Sequence, residues 1–248
     1  ETYLGYGAYE WGTRLNNHFV NFFRKPIGNL LGLGNNRYKR AALLFQYKNQ
    51  ERLKSHIFSQ EQYYFSENEI TDLLNPAFKT ELSFDENICV NNRKLSFAEE
   101  QAIFDLKYYL QDDLLVKVDR ASMKYSLEVR VRLIDYRLIH FALNLSENLR
   151  KQQDITKYLL KEVLYDLVPK ELFNRPKWGF GIPLVDWLQN DWKFLIEQYL
   201  NKKSIEEAGI FNYGAVRQIV NRFLKGESYL YNKIWQMIII QKWLKKHC

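Results

Sequence analysis

Apolar residues in this chain recur at helical spacing almost throughout, and one short stretch breaks the rule. Leu114, Leu115, Val118, Ala121, Ser122 and Tyr125 fall at i, i+1, i+4, i+7, i+8 and i+11, which is one face of a helix. Asp113, Lys117, Arg120 and Lys124 share another face. After Ser126 the period drops to two. Leu127, Val129, Val131 and Leu133 alternate with Glu128, Arg130 and Arg132. A period of two predicts extended backbone, with the charges on the side away from the core. Asp135 then stands where an N-cap belongs, before a helix through Leu143. No series of alternating strands divided by turns occurs, so the pattern predicts a mainly α fold.

The remaining punctuation agrees. Asn16–Arg24 and Arg37–Tyr47 read as helices with Gly28–Gly34 as the loop between them. Phe65–Leu74 reads as a short helix with Ser66 as its N-cap and Pro76 beyond its end. Residues 76–95 are polar and irregular. Ser96, followed three residues later by Glu99, has the spacing of a capping box. Thr156–Val168 reads as a helix that buries Leu159, Leu160, Val163, Leu164 and Leu167, and Pro169 stops it. Pro183 suits the first turn of a helix over Leu184–Asn190. Two more helices, Ala215–Leu224 and Tyr229–Lys246, end the chain.

With 248 residues, 46% of them hydrophobic, the chain can bury a substantial core. The net charge of +7 fits a solvated basic surface, nucleic acid, an anionic membrane or a phosphorylated ligand. The basic residues read as spread along the chain, which argues against nucleic acid, and no membrane partner is expected. Cys89 and Cys248 are far apart and form no metal-binding spacing with the four histidines, so the metal set is unknown and a reducing cytoplasm is expected. No apolar run approaches the ~20 residues of a membrane span.

Two segments can carry chemistry. In Arg175-Pro-Lys-Trp-Gly-Phe-Gly181, two cations flank a proline, and Gly179 and Gly181 permit close backbone approach. Lys177 could neutralise charge on phosphate oxygens. The same residues equally describe a solvated loop between helices. In Asp112–Asp135, a basic helix face leads into the extended Leu-Glu-Val-Arg-Val-Arg, and a Glu128–Arg130 network at least partly buried is the simpler reading.

At these residues the chain resembles the glutamine-dependent asparagine synthetases. The blocks that carry the resemblance are Asp112-Asp-Leu-Leu-Val-Lys-Val-Asp-Arg-Ala-Ser-Met, then Ser-Leu-Glu-Val-Arg-Val with Asp135, then Lys157-Tyr-Leu-Leu-Lys, then Arg175-Pro-Lys-Trp-Gly-Phe-Gly-Ile-Pro183. Their order and spacing follow the family. Glu1-Thr-Tyr-Leu-Gly-Tyr resembles the end of the family's Asp-Glu-Leu-Phe-Gly-Gly-Tyr motif, with Glu1 as its glutamate. Residues 10–95 match more loosely, and the family usually has proline where Arg132 stands.

The resemblance implies that residues 1–248 are the helical C-terminal half of an α/β adenine-nucleotide-hydrolase-like synthetase domain. It implies ATP as substrate, Mg2+ as helper, and aspartate activated as β-aspartyl-AMP. Ammonia would come from glutamine through an N-terminal domain absent from this sequence, and the enzyme would be cytoplasmic and possible as a homodimer. Lys177 matches the family's catalytic lysine. Glu1, Lys117, Asp119, Arg120, Glu128, Arg130, Arg175 and Gly179 match substrate- and nucleotide-binding positions. The Ser-Gly-Gly-x-Asp-Ser pyrophosphate loop does not occur in the sequence, so the chain alone is expected to be inactive. The alternative is a related adenylating amidotransferase, or a β-lactam-synthetase-like enzyme, acting on another carboxylate.

Overall fold

The structure is a computed structural model and describes residues 2–47, 50–79, 93–173 and 181–247. In chain order the helices are α1 (Ala8–Leu15), α2 (His18–Gly32), α3 (Asn36–Leu43), α4 (Leu53–Glu61), α5 (Glu67–Leu73) and α6 (Phe97–Asp105). A wide π-helical stretch, Leu106–Leu115, joins α6 to α7 (Val116–Met123). Then come α8 (Tyr136–Asn144), α9 (Glu147–Arg150), the strands β1 (Lys151–Gln152) and β2 (Ile155–Thr156), and α10 (Tyr158–Tyr165). The chain ends with α11 (Leu184–Gln189), α12 (Lys193–Tyr199), α13 (Lys202–Ala208), α14 (Tyr213–Leu224) and α15 (Tyr231–His247). Among the described residues the only sheet is the antiparallel β1–β2 hairpin, with Lys151 opposite Thr156. The fold is mainly α, as expected.

The chain divides into two compact units, one of residues 1–17 with 85–178 and one of residues 18–84 with 179–248. In the first unit α1 lies against α6, and the Phe97 ring occupies the space a Cβ at Gly12 would need. Leu4, Tyr9, Leu15, Ala98, Ala102, Phe104 and Ala142 are buried there. The capping box is formed as its spacing predicts. Glu99 Oε2 accepts from the Ser96 backbone N–H at 2.8 Å, and Ser96 Oγ accepts from the Glu99 N–H at 3.3 Å. The other oxygen, Glu99 Oε1, accepts from Arg93 Nη2 at 2.8 Å and from Arg150 Nη2. Arg150 has no exposed surface, so the carboxylate of a helix cap is also the counter-ion of a buried guanidinium. Burial, helped by the nearby Arg93, lowers the Arg150 pKa to about 10, which leaves it charged at neutral pH.

The second unit repeats this device. Ser66 and Glu69 form the capping box of α5, and Glu69 also pairs with Lys233, a residue of α15 with 1% exposure. The core of this unit gathers Leu73, Leu184, Leu188, Ile196, Ile205, Val216, Phe223, Ile234 and Met237 around α15. Asn35, Asn201 and Asn212 cap α3, α13 and α14 by accepting backbone N–H bonds. Gly209 ends α13 in the left-handed region, φ 69°, where a side chain is disfavoured.

Three expectations need correction. The loop expected at Gly28–Gly34 is helical as far as Gly32, because Gly28 packs closely on α3, with Phe45 Cβ 3.4 Å from the place a Cβ would take. The apolar side of 127–133 is not in a core: Leu127 is 61% and Leu133 58% exposed. Val163 and Leu167 of the α10 region are exposed as well. Spacing assigns residues to a face, but what covers that face depends on tertiary packing.

Within the second unit His56 is buried and its Nε2–H donates to the Leu43 carbonyl at 2.9 Å. Burial drives its pKa down to about 4. The unfolded chain therefore binds a proton at this residue, near pH 6.5, before the folded chain does. Stability contributed by neutral His56 is complete above pH 6.5 and is lost as the pH falls toward 4, at up to about 1.4 kcal/mol per pH unit. Urea midpoints measured from pH 7 to pH 4.5 should fall across this window, and His56→Gln should flatten the fall. An unchanged slope in the variant would show that His56 is not its source.

Candidate functional site

The expected site residues that the structure describes all lie in the first unit. Lys117, Asp119 and Arg120 stand exposed on α7. Ser126 then takes a left-handed backbone, φ 58°, and turns the chain out of the helix into the extended run. On that run Arg130 Nε donates to Glu128 Oε1 at 2.7 Å, with the arginine side chain 85% exposed. The Glu128–Arg130 network is therefore formed but at the surface, not buried. Asp135 accepts from the Arg137 backbone N–H at 2.9 Å, the N-cap role its position predicts, and it also accepts from the Arg137 guanidinium. Those bonds hold the Asp135 carboxyl down at about 2. Glu1, Arg175, Lys177 and Gly179 lie outside the described residues.

Arg132 stands where the family usually has proline. Val131 nevertheless keeps φ −91° and ψ 108°, close to the extended region that a following proline would demand. The substitution adds a charge without changing the backbone before it.

One residue not singled out as a site residue emerges from the geometry. The β1–β2 hairpin delivers Lys157 to the N-cap position of α10 in a left-handed conformation, φ 56°. Its side chain crosses the N-terminal segment so closely that a Cβ at Gly5 would overlap Lys157 Cε. Leu4, the residue before Gly5, is also left-handed at φ 50°. Two non-glycine residues in this costly region, one lying against Gly5 and the other next to it in sequence, mark a place where position outranks backbone comfort. No ion pair among the described residues uses the Lys157 ammonium. Its only sequence signal is the Lys157-Tyr-Leu-Leu-Lys block, since nothing in the pattern ties residue 157 to residue 5.

The combination is cationic: Lys157 beside the segment after Glu1, and Lys117, Arg120 and Arg130 on α7 and its extension. Such groups suit phosphate oxygens and carboxylates. Among the described residues no group of three or more His, Cys, Asp or Glu side chains could hold a metal ion. No described helix is long and apolar enough to cross a membrane.

The family model described as Asparagine synthase matches residues 1–245. The chain belongs to the asparagine synthase family. A putative glutamine-hydrolyzing asparagine synthetase of Mycobacterium tuberculosis is 31% identical over 139 residues, covering 56% of this chain and 21% of that protein. Asparagine synthetase [glutamine-hydrolyzing] 1 of Bacillus subtilis is 27% identical over 139 residues, 56% of this chain and 22% of that protein. The human asparagine synthetase [glutamine-hydrolyzing] is 29% identical over 142 residues, 56% of this chain and 25% of that protein. The matched stretch thus spans about a quarter or less of these relatives. No solved structure matches the chain.

Proposed function

We propose that the chain is the helical portion of the synthetase domain of a glutamine-dependent, AMP-forming asparagine synthetase, both compact units being part of that one domain. The observation that carries this reading is the family match over residues 1–245, with the Lys177 loop and the Asp112–Asp135 block in family order. In the reaction an oxygen of the aspartate side-chain carboxylate attacks the α-phosphorus of ATP and pyrophosphate leaves. Ammonia then attacks the carbonyl carbon of β-aspartyl-AMP, AMP leaves, and the nitrogen loses a proton to give asparagine.

Each residue has a role suited to its chemistry. Lys177 meets the charge that builds on the phosphate oxygens, and Arg175 supports it. Gly179 lets the backbone approach the nucleotide. Lys157, lying against Gly5, brings a second ammonium toward the phosphates. Lys117, Asp119, Arg120, Glu128 and Arg130 position the substrate from α7 and its extension, and their exposure leaves them accessible to it. Magnesium would supply charge neutralisation at the ATP phosphates, and no step here is routed through it.

Gly5→Ala should displace Lys157 while leaving α10 folded. The expected result is roughly a tenfold fall in kcat with little change in thermal stability, because the side chain gives way and the backbone does not. An unaltered kcat would remove Lys157 from the site.

The reading is tested by aspartate-dependent release of pyrophosphate from ATP by the full-length protein, with asparagine identified by mass. The 248-residue chain alone is expected to give no turnover. Release that depends on a different carboxylate would replace aspartate as substrate while keeping the adenylation. No release with any carboxylate would overturn both.

A further inference from the structure

One stretch of the chain is rich in cations and free of acidic residues. Residues 11–50 contain Arg14, Arg24, Lys25, Arg37, Lys39, Arg40 and Lys48 and no Asp or Glu. Removing these seven from the 36 Lys and Arg leaves 29, equal to the 29 Asp and Glu of the whole chain. The other 29 basic residues are spread along the rest of the chain and matched in number by its acidic ones.

Within that stretch, α2 and α3 of the second unit pair as a helical hairpin that carries Arg24, Lys25, Arg37, Lys39 and Arg40 and no acidic residue, and its outer face is apolar. Phe19, Phe22, Phe23, Pro26 and Leu30 of α2 recur at i, i+3, i+4, i+7 and i+11, a single stripe. Phe22 is 80%, Leu30 74% and Leu33, at the hairpin tip, 85% exposed. Phe23 sits against both Phe19 and Phe22, with ring centroids 4.8 and 4.9 Å away. The opposite face is spoken for. Arg24 donates to the Tyr47 carbonyl and stacks on its ring, Asn21 accepts from the Tyr47 hydroxyl, and Gly28 packs on α3. The stripe therefore cannot turn inward without breaking these contacts.

The cations flank the stripe. Lys39 and Arg40 are answered by Glu227 and Glu61, whereas Lys25 and Arg37 are exposed and enter no ion pair among the described residues. An apolar stripe needs a partner that buries hydrocarbon, and the two unanswered cations beside it, Lys25 and Arg37, favour an anionic one. A second copy would bring two such sets of cations together and repel. Nucleic acid would answer the charge but leave Leu30 and Leu33 in water. An anionic bilayer surface satisfies both requirements.

We propose that the α2–α3 hairpin seats the protein on an anionic membrane surface, with Phe19, Phe22, Leu30 and Leu33 in the acyl boundary and Lys25 and Arg37 at the headgroups. The hairpin lies on the membrane and does not cross it, in keeping with the absence of a spanning helix among the described residues. This replaces the expectation that the chain meets no membrane. It does not depend on the proposed catalytic reaction.

The test is sedimentation of the 248-residue chain, and of the full-length protein, with vesicles of phosphatidylcholine containing phosphatidylglycerol. Both should bind, and binding should weaken sharply on pure phosphatidylcholine or in high salt. Phe22→Ser with Leu30→Ser should weaken binding about a hundredfold. Lys25→Glu with Arg37→Glu should weaken it at least about twentyfold. All four sites are exposed, so circular dichroism and the melting temperature should stay unchanged. The proposal is overturned by binding that ignores lipid charge, or that survives the Phe22 and Leu30 changes. It is equally overturned if duplex DNA competes the vesicles away, if concentration-dependent dimerisation accounts for burial of the stripe, or if the full-length protein fails to bind.

Discussion

Lys177→Ala in the full-length protein should lower kcat for aspartate-dependent pyrophosphate release by about a thousandfold, with a much smaller change in KM for ATP. On the proposed function, the asymmetry follows from when the ammonium is needed. In the bound ground state the triphosphate charge is shared among many contacts. As the carboxylate oxygen closes on the α-phosphorus, charge moves onto the phosphate oxygens and the leaving pyrophosphate, and a cation aimed there is worth most at that moment. Lys177→Arg should recover only part of the rate, because a planar guanidinium cannot follow the oxygens as a flexible ammonium can. Equal losses in kcat and in ATP affinity would instead make Lys177 a binding residue. A wild-type rate in Lys177→Ala would end its catalytic assignment.

Glu99→Gln should destabilise the first unit by about 3–5 kcal/mol, read as a fall in the urea midpoint. Glutamine preserves shape and can still accept the Ser96 N–H bond, so the helix cap survives locally. What disappears is the single negative charge shared by Arg93 and the fully buried Arg150. Nη1 and Nε of Arg150 already have no partner among the described residues, so this guanidinium has nothing else to lean on. The exposed Glu128–Arg130 pair provides the contrast. Its bond is as short as any on the surface, yet Glu128→Gln should cost under about 1 kcal/mol, since water takes over for the lost partner. If the two variants lost comparable stability, burial would not be the deciding variable.

Much of the fold could be read from local chemistry. Ser66 stands where an N-cap belongs and Ser96–Glu99 has the spacing of a capping box; both helix starts are capped so, and Glu69 completes a second box. Asp135 was legible for the same reason. Gly28 misled because glycine signals a break only when nothing else claims it. Here Gly28 lies inside α2 and serves close packing. The short helices α12 and α13 went unread, each being seven residues long and too short for a clear period. For the site, motif order is what proposes Lys177, which lies outside the described residues. The Lys157–Gly5 contact was not, because it joins positions 152 residues apart through a hairpin whose register no local rule dictates.

The two capping-box glutamates carry a consequence for how the units come apart. Ordinarily a helix end can fray and re-form while the tertiary structure waits. In α6 and α5 the carboxylate that closes the first turn is also the one that holds a buried cation from a distant segment, Arg150 in one unit and Lys233 in the other. Opening that first turn therefore sets loose a charge in the interior, and losing the distant segment unlatches the turn. The first turns of α6 and α5 should then exchange their amide hydrogens with the slow, all-or-none kinetics of a whole unit, unlike the ends of helices such as α12, where no such tie exists.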